Sequence, residues 1–138
     1  MSVLAVIDTN VLVSALLSKH EDAATVQIVD RLFGGEIIPL ISEAILAEYE
    51  EVLLRPKFRF PKEIIWRLIE AVRQNGVDIE PIITGEVFPD QKDLVFYEVA
   101  MTKQEEGAYL VTGNTKHFPV KPFIVTPSEM LSIITRPE

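Results

Sequence analysis

The hydrophobic residues of the chain fall into two kinds of run. Continuous apolar runs, which are typical of strands buried on both faces, occupy residues 3–7, 36–41, 77–83, 108–112 and 123–126. The runs between them repeat at helical spacing and predict helices over residues 9–17, 22–32, 43–54, 61–75, 90–106 and 127–134. Alternating strands and helices favour an α/β fold in which helices cover both faces of a parallel sheet.

Capping and breaking residues mark the ends of two of these helices. Ser42 is a favourable N-cap for the third helix, and Arg55-Pro56 ends it. Pro61 suits the start of the fourth helix, and Gly76 ends it. These signals divide the middle of the chain into strand, helix, helix and strand.

The composition is that of one globular domain spanning residues 1–138. No cysteine is present, which excludes a disulfide scaffold and a thiolate metal site and suits a cytoplasmic protein. The first apolar run follows no basic region and is interrupted by Asp8, so we do not expect a signal peptide. No apolar run approaches the roughly 20 residues of a membrane-spanning helix.

The charge of the chain restricts how it could act on nucleic acid. Its formal net charge is -8, from 13 basic and 21 acidic residues, whereas a passive nucleic-acid binder is normally basic. An acidic enzyme can still use nucleic acid if some acids hold metal ions and the bases are grouped. The positions of the acids and bases therefore decide whether this chain could act on nucleic acid.

Several acids follow the predicted strands. Asp8 ends the first strand, and Glu48 lies in the second turn of the helix after the second. Asp90 and Asp93 open the helix after the third strand, and Asn114 follows the fourth. The carboxyl ends of parallel strands share one edge, so these groups are expected to converge there. Oxygen ligands without thiols suit Mg²⁺ or Mn²⁺.

Capping is an alternative interpretation for most of these acids. Asp8, Thr9 or Asn10 can cap the helix that follows the first strand. Asp90 and Asp93 suit the N-cap and third position of their helix, where acids interact favourably with the helix dipole. A carboxylate ending a buried strand is costly to desolvate, and local sequence alone does not decide between cap and ligand.

Five further residues are not assigned a role by pattern alone. Glu48 and Glu50 flank the apolar stripe of their helix equally, so periodicity does not choose between them. Asn114 suits a turn. His20 and His117 have no ligand spacing around them and are expected at the surface.

The basic residues include one group. Residues 55–62, RPKFRFPK, carry the four bases Arg55, Lys57, Arg59 and Lys62. Phe58 and Phe60 stand between them, which suits phosphate contacts and base stacking on single-stranded RNA. The alternative is that both rings pack on the core while the bases are solvated. Lys116 and His117 can likewise either contact phosphate or lie in a solvated loop.

The chain resembles the PIN-domain ribonucleases in four segments that occur in order: VIDTNVLVSALLS, LISEAILAEYEEVLLRPKF, PDQKDLVFYEVA and YLVTGNTKHFP. It looks most like the PIN-type toxins of prokaryotic toxin–antitoxin systems. The resemblance covers nearly the whole chain and implies a three-layer α/β/α fold with a central parallel sheet of about five strands. It also implies hydrolysis of RNA with Mg²⁺ or Mn²⁺, an antitoxin partner and no membrane association, and it is compatible with a homodimer.

The resemblance also implies site residues. The catalytic acids and metal ligands would be Asp8, Glu48 and Asp93, with Asp90 as a helper. This selects Glu48 over Glu50. The fourth position often holds Asp after Thr-Gly but is Asn114 here, which can coordinate through its carbonyl with less charge. Thr9 and Asn10 match the motif beside the first acid and are expected to orient Asp8 or the substrate. Thr112 is also expected to bind substrate, and Arg55, Lys57 and Arg59 are expected to do so as members of the basic group described above.

Three other functions compete with this one. A phosphatase using Asp8 as nucleophile would carry an acid two residues later, where Asn10 stands. A receiver-like signalling domain would show adjacent acids near the first strand and an Asp ending the third, and neither is evident. A PIN fold that has lost catalysis and only binds RNA or protein is compatible with Asn114.

Overall fold

The computed structural model describes residues 2–135. Its strands are Val3–Ile7 (β1), Ile37–Ile41 (β2), Val77–Asp78 (β3), Tyr109–Val111 (β4) and Ile124–Val125 (β5). Its α-helices are Thr9–Leu17 (α1), Ala24–Gly34 (α2), Glu43–Leu53 (α3), Lys62–Asn75 (α4), Gln91–Thr102 (α5) and Pro127–Thr135 (α6). Short 3-10 turns lie at Pro56–Phe58, Gln104–Glu106 and Thr115–His117.

The strands form one parallel sheet in the order β3-β2-β1-β4-β5. Three consecutive residues of the central strand, Ala5, Val6 and Ile7, are at most 1% exposed, so both faces of the sheet are covered. Helix α5 packs across β1, β2 and β4, whereas α2 packs against α1, α4 and α6. The predicted α/β fold with a five-stranded parallel sheet is confirmed.

The sheet topology locates a ligand site. The chain leaves β1 toward β2 on one side and returns to β4 on the other. In open parallel sheets, ligands bind where the strand order reverses in this way, at the carboxyl ends. Here that point lies between β1 and β4, where Asp8 and Thr112 follow their strands.

The third strand is shorter than predicted. Residues 77–83 were expected as a strand, but pairing ends at Asp78, after which the Ile79 amide makes one more bond to Ile41 O. The partner β2 turns into the Ser42-capped helix at this point, so no edge remains to pair with. The chain instead follows α5, where the Glu98 carboxylate accepts from the Thr84 amide at 2.7 Å.

The helix predicted over 90–106 is also wrong in extent. It ends at Thr102, and a separate 3-10 turn follows. The Thr102 hydroxyl donates to the Glu98 carbonyl at 2.7 Å and accepts from the Ile82 amide at 3.0 Å. This hydroxyl therefore joins the end of the helix to the irregular segment beside it.

The other boundaries differ by at most two residues. Ser42 caps α3 as predicted, with its side chain accepting from the Ile45 amide. Gly76 ends α4, and a larger residue would not fit there because a Cβ would lie 2.8 Å from the Pro39 carbonyl oxygen. Ile64, in the first turn of α4, is 47% exposed. Within residues 2–135, no helix has both the length and the apolar character required to cross a membrane.

Candidate active site

Asp8 lies at the carboxyl end of the central strand and is 6% exposed. It occupies the N-cap position of α1, but its side chain makes no capping hydrogen bond. Its Oδ2 instead accepts from Thr112 Oγ1 at 2.8 Å and from Asn10 Nδ2 at 3.2 Å. Burial raises the pKa of Asp8, and the Thr112 hydrogen bond offsets part of that effect. The backbone amides of Asn10 and Thr9 also lower this pKa, so Asp8 interacts weakly with the start of α1, while its closest hydrogen bond comes from Thr112.

A polar network holds the Asp8 carboxylate in place. The Thr112 hydroxyl, fully buried, also accepts from the Asn114 amide at 3.0 Å. The Asn10 side-chain carbonyl accepts from the Gly113 amide at 3.2 Å. Buried networks whose members are satisfied are rigid, so the orientation of Asp8 is determined by residues that follow β4.

Thr9 does not share in this network. It is 5% exposed, and its Oγ1 is the fully buried side-chain polar atom in residues 2–135 that has no hydrogen-bond partner. Leaving a buried hydroxyl unsatisfied costs on the order of 1–3 kcal/mol. Its burial does not favour the predicted contact between the Thr9 side chain and substrate.

Asp93 lies in the first turn of α5, and its pKa is strongly raised. Burial, followed by repulsion from Asp8 and Asp90, raises its pKa to about 6. Glu48 adds a smaller repulsion, and His117 opposes the shift. The Asp93 Oδ2 lies 3.6 Å from His117 Nδ1. Asp93 is therefore close enough to charged residues at the end of β1, on α3 and in the turn after β4 to be affected by them.

The structure separates Glu48 from Glu50. Glu48 is half-buried, and its pKa is raised first by burial, with Lys92 opposing the shift. Asp90 contributes to the same shift, which places Glu48 near the first turn of α5. Glu50 is exposed. Of the two acids, Glu48 is the one that turns toward the other acids.

Two predicted ligands occupy more peripheral positions. Asp90 is exposed and caps α5, because its Oδ1 accepts from the Lys92 amide at 3.0 Å. The capping interpretation of Asp90 therefore fits the structure. Asn114 is exposed and lines a cavity of about 130 Å³ with Asn10. A separate cavity of about 130 Å³ lies beside Asp90, Asp93 and His117.

The basic group at residues 55–62 lies only partly beside the acids. Arg55 Nη2 lies 3.5 Å from Glu51 Oε1, and its charge lowers the pKa of Glu48, so it lies at the rim of the site. Lys57 and Arg59 are exposed in the turn beyond. Phe58 and Phe60 stack on each other with ring centroids 5.3 Å apart, and Phe60 packs against the core.

Sequence reasoning gave too little weight to three residues. His117 was expected at the surface and its side chain is 59% exposed, yet it contacts Asp93. Lys92 Nζ lies 3.3 Å from Glu51 Oε2 and adds a cation beside Glu48. Tyr49, buried on α3, donates its hydroxyl to the Ile7 carbonyl at 2.5 Å, directly before Asp8. The segment YLVTGNTKHFP contained the signal for His117, since it places this residue just beyond Asn114.

The donor chemistry of the site fits a hard divalent cation. Asp8, Glu48 and Asp93 supply carboxylate oxygens, and their mutual repulsion is the charge imbalance that Mg²⁺ or Mn²⁺ would neutralise. In the part of the chain that the structure describes, no three His, Cys, Asp or Glu side chains stand close enough to hold an ion as they are placed. Coordination by all three carboxylates would therefore need a change in side-chain position.

Comparison with known families identifies the fold. A family model described as PIN domain matches residues 4–116, which is 113 of 138 residues and includes every acid discussed above. A comparison with curated proteins finds no significant match. The chain therefore belongs to the PIN-domain family, whose fold is that of a nuclease.

Proposed function

We propose that this protein is a metal-dependent ribonuclease that hydrolyses phosphodiester bonds of single-stranded RNA. One observation carries the proposal. Asp8, Glu48 and Asp93 come from three separate segments to the strand-order reversal, where burial and repulsion raise the pKa of Asp93 to about 6. A cluster of acids whose mutual repulsion raises a pKa is typical of a functional site rather than of helix capping.

The proposed metal ligands are Asp8 and Asp93, with Glu48, Asn114 and Asp90 completing the set. Both side-chain hydrogen bonds to Asp8 end on Oδ2, so Oδ1 receives no side-chain donor and is the oxygen proposed to face the metal ion. A bound Mg²⁺ or Mn²⁺ would lower the pKa of a water molecule and stabilise the leaving oxygen. Glu48 would orient the attacking water or act as a ligand, and Thr112 and Asn10 would keep Asp8 aligned.

The substrate would reach the acids between two groups of cations. Arg55 and Lys92 both contact Glu51 on one side of the site, and Lys116 and His117 line the cavity at Asp93. Lys57 and Arg59 would extend the first group along a single strand of RNA. Phe60 packs on the core and stacks on Phe58, and Lys57 Nζ lies 5.1 Å from the Phe58 ring centroid, so a base would stack on Phe58 only if Lys57 moved aside.

The role of toxin rests on the resemblance. We infer that the protein works in the cytoplasm and that a small antitoxin protein blocks its action on cellular RNA. Expression of the wild type should then arrest growth, and co-expression of the protein encoded by the neighbouring reading frame should relieve it. Normal growth on high-level expression of active enzyme would contradict the toxin role and leave the ribonuclease activity standing.

A binding function without catalysis is the second candidate. It is favoured by Asn114, which removes a charge from the position where the family often holds Asp. It is also favoured by the separation of the carboxylates, since no three of them stand close enough to hold an ion in the described residues. Such a protein would bind single-stranded RNA equally well with Mn²⁺ and with EDTA and would leave it intact.

A cleavage assay separates these functions. End-labelled single-stranded RNA, the same sequence as DNA, and duplex RNA are incubated with protein in Mn²⁺, Mg²⁺ or excess EDTA. The proposal predicts products from single-stranded RNA with either ion and none with EDTA. Cleavage that persists in EDTA, or no cleavage of any substrate in either ion, would contradict it.

A further inference from the structure

One cavity beside the proposed catalytic acids has no charged lining. It measures about 130 Å³ and lies between α1, α2 and the segment after β4. Its lining residues are Asn10, Val11, Ser14, Thr25, Gly113 and Asn114. It differs in this from the cavity at Asp93, whose lining includes Asp90, Lys116 and His117.

The cavity shares a wall with the proposed site. The Asn10 side chain donates to Asp8 Oδ2 at 3.2 Å and accepts from the Gly113 amide at 3.2 Å, so its carboxamide stands between Asp8 and the cavity. Asn114, a proposed metal ligand, lies on the same rim. A group seated here would therefore belong to a nucleotide next to the reacting phosphate.

The chemistry of the lining selects the kind of group. The hydroxyls of Ser14 and Thr25 form no hydrogen bond with other residues of the described chain, residues 2–135, and each can donate or accept. No cation lines the cavity to receive phosphate, and no carboxylate lines it to receive a metal ion. Its volume is below the about 300 Å³ of small-molecule pockets, which suits an occupant about the size of one nucleobase.

We propose that this cavity, named here the base pocket, binds the nucleobase that flanks the scissile bond and that Ser14 and Thr25 determine which base is preferred. The proposal rests on the proposed function. Unstacked bases of single-stranded RNA are recognised by hydrogen bonds to their edges, and hydroxyls that both donate and accept suit such edges. Val11 supplies an apolar wall for the face of the ring.

The test uses four single-stranded RNAs that differ only in the nucleotide next to a single cleavage site. Cleavage by the wild type in Mn²⁺ is compared with Ser14→Ala, Thr25→Val and the double variant. Ser132→Ala is the matched control, since Ser132 is also an exposed helical serine but lies on α6. Ser14 is exposed and Thr25 half-buried, so the variants are expected to fold.

The proposal predicts that wild type prefers one base and that each single variant lowers kcat/KM for that base by roughly 3- to 10-fold, while the other bases change little. The double variant should cleave all four RNAs at similar rates, and Ser132→Ala should match wild type. An unchanged base preference in the double variant, or equal cleavage of all four RNAs by wild type, would overturn it.

A second measurement distinguishes failure of the base pocket from failure of the nuclease. If wild type cleaves no RNA in Mn²⁺, the proposed function has failed, and affinities for the same four RNAs are then measured by fluorescence anisotropy. A base preference in wild-type binding that the double variant loses supports the base pocket. Identical affinities for all four RNAs, or a preference that the double variant retains, refute it.

Discussion

Replacing Asp93 by Asn tests the claim that the acids repel one another in the folded protein. The pKa of Asp93 rises from 3.8 to about 6, or about two pKa units, because of burial and the charges of Asp8 and Asp90. At about 1.4 kcal/mol per unit, the ionised side chain would cost about 3 kcal/mol of folding free energy. Its side chain is 18% exposed at an open cavity, so solvent screening reduces this to about 1–2 kcal/mol.

The pH dependence of this effect has a definite sign. A carboxyl group whose folded pKa is raised holds its proton more tightly in the folded state, so stability falls as pH rises from about 4 to 6 and then stays level. Asp93→Asn removes this loss. The variant should therefore unfold at higher urea than wild type at pH 7.5, while the difference at pH 4 should shrink to roughly 0.5 kcal/mol or less.

The assay is urea unfolding in EDTA, monitored by circular dichroism at several pH values between 4 and 7.5. Asp30→Asn, an exposed acid of α2, is the control and should show no such pH-dependent gain. Excess Mg²⁺ should stabilise wild type by mass action, by about 2.7 kcal/mol at 100 times Kd, and stabilise Asp93→Asn much less. If Asp93→Asn is less stable than wild type at pH 7.5, by the roughly 0.3–1 kcal/mol of a helix-dipole acid, the repulsion argument fails.

Three further predictions concern activity and binding. Glu48→Gln should lower the cleavage rate by at least about 100-fold while Glu50→Gln changes it little, and the reverse result would overturn the assignment on α3. Asn114→Asp should tighten Mn²⁺ binding in a calorimetric titration because it adds a charge, and unchanged affinity would remove Asn114 from the ligands. Arg59→Gln should reduce the slope of log RNA affinity against log salt concentration by the amount expected for about one phosphate contact, whereas Arg73→Gln on α4 should leave the slope unchanged. Equal slopes for wild type and both variants would mean that residues 55–62 do not contact RNA through Arg59.

Elements defined by local signals could be predicted from the sequence. The bounds of β1 and α1 match the structure, and Ser42 caps α3 as expected, because apolar runs and capping residues act over a few positions. The strand expected over 77–83 failed for a non-local reason. Its length depends on where β2 ends, and that strand ends early because the cap at Ser42 starts a helix.

The sequence predicts those site residues that follow the carboxyl ends of strands, because a parallel sheet brings these ends to one edge. Asp8, Asp93 and Glu48 could be proposed from their positions relative to strands, although the choice of Glu48 over Glu50 required the family resemblance. The contacts of His117 with Asp93 and of Tyr49 with Ile7 join segments far apart in the chain. No periodic pattern encodes such pairs, since they depend on how the helices and loops pack at the sheet edge.

The most direct test of the central claim is cleavage of single-stranded RNA by Asp8→Asn, with Asp30→Asn as the matched control. The account predicts a loss of roughly 1,000-fold or more in Mn²⁺ for Asp8→Asn, because several kcal/mol of transition-state stabilisation depends on this ligand. It also predicts that Asp8→Asn melts no lower than wild type in EDTA, and that Asp30→Asn retains full activity. An Asp8→Asn protein that folds and cleaves RNA at the wild-type rate would contradict the account.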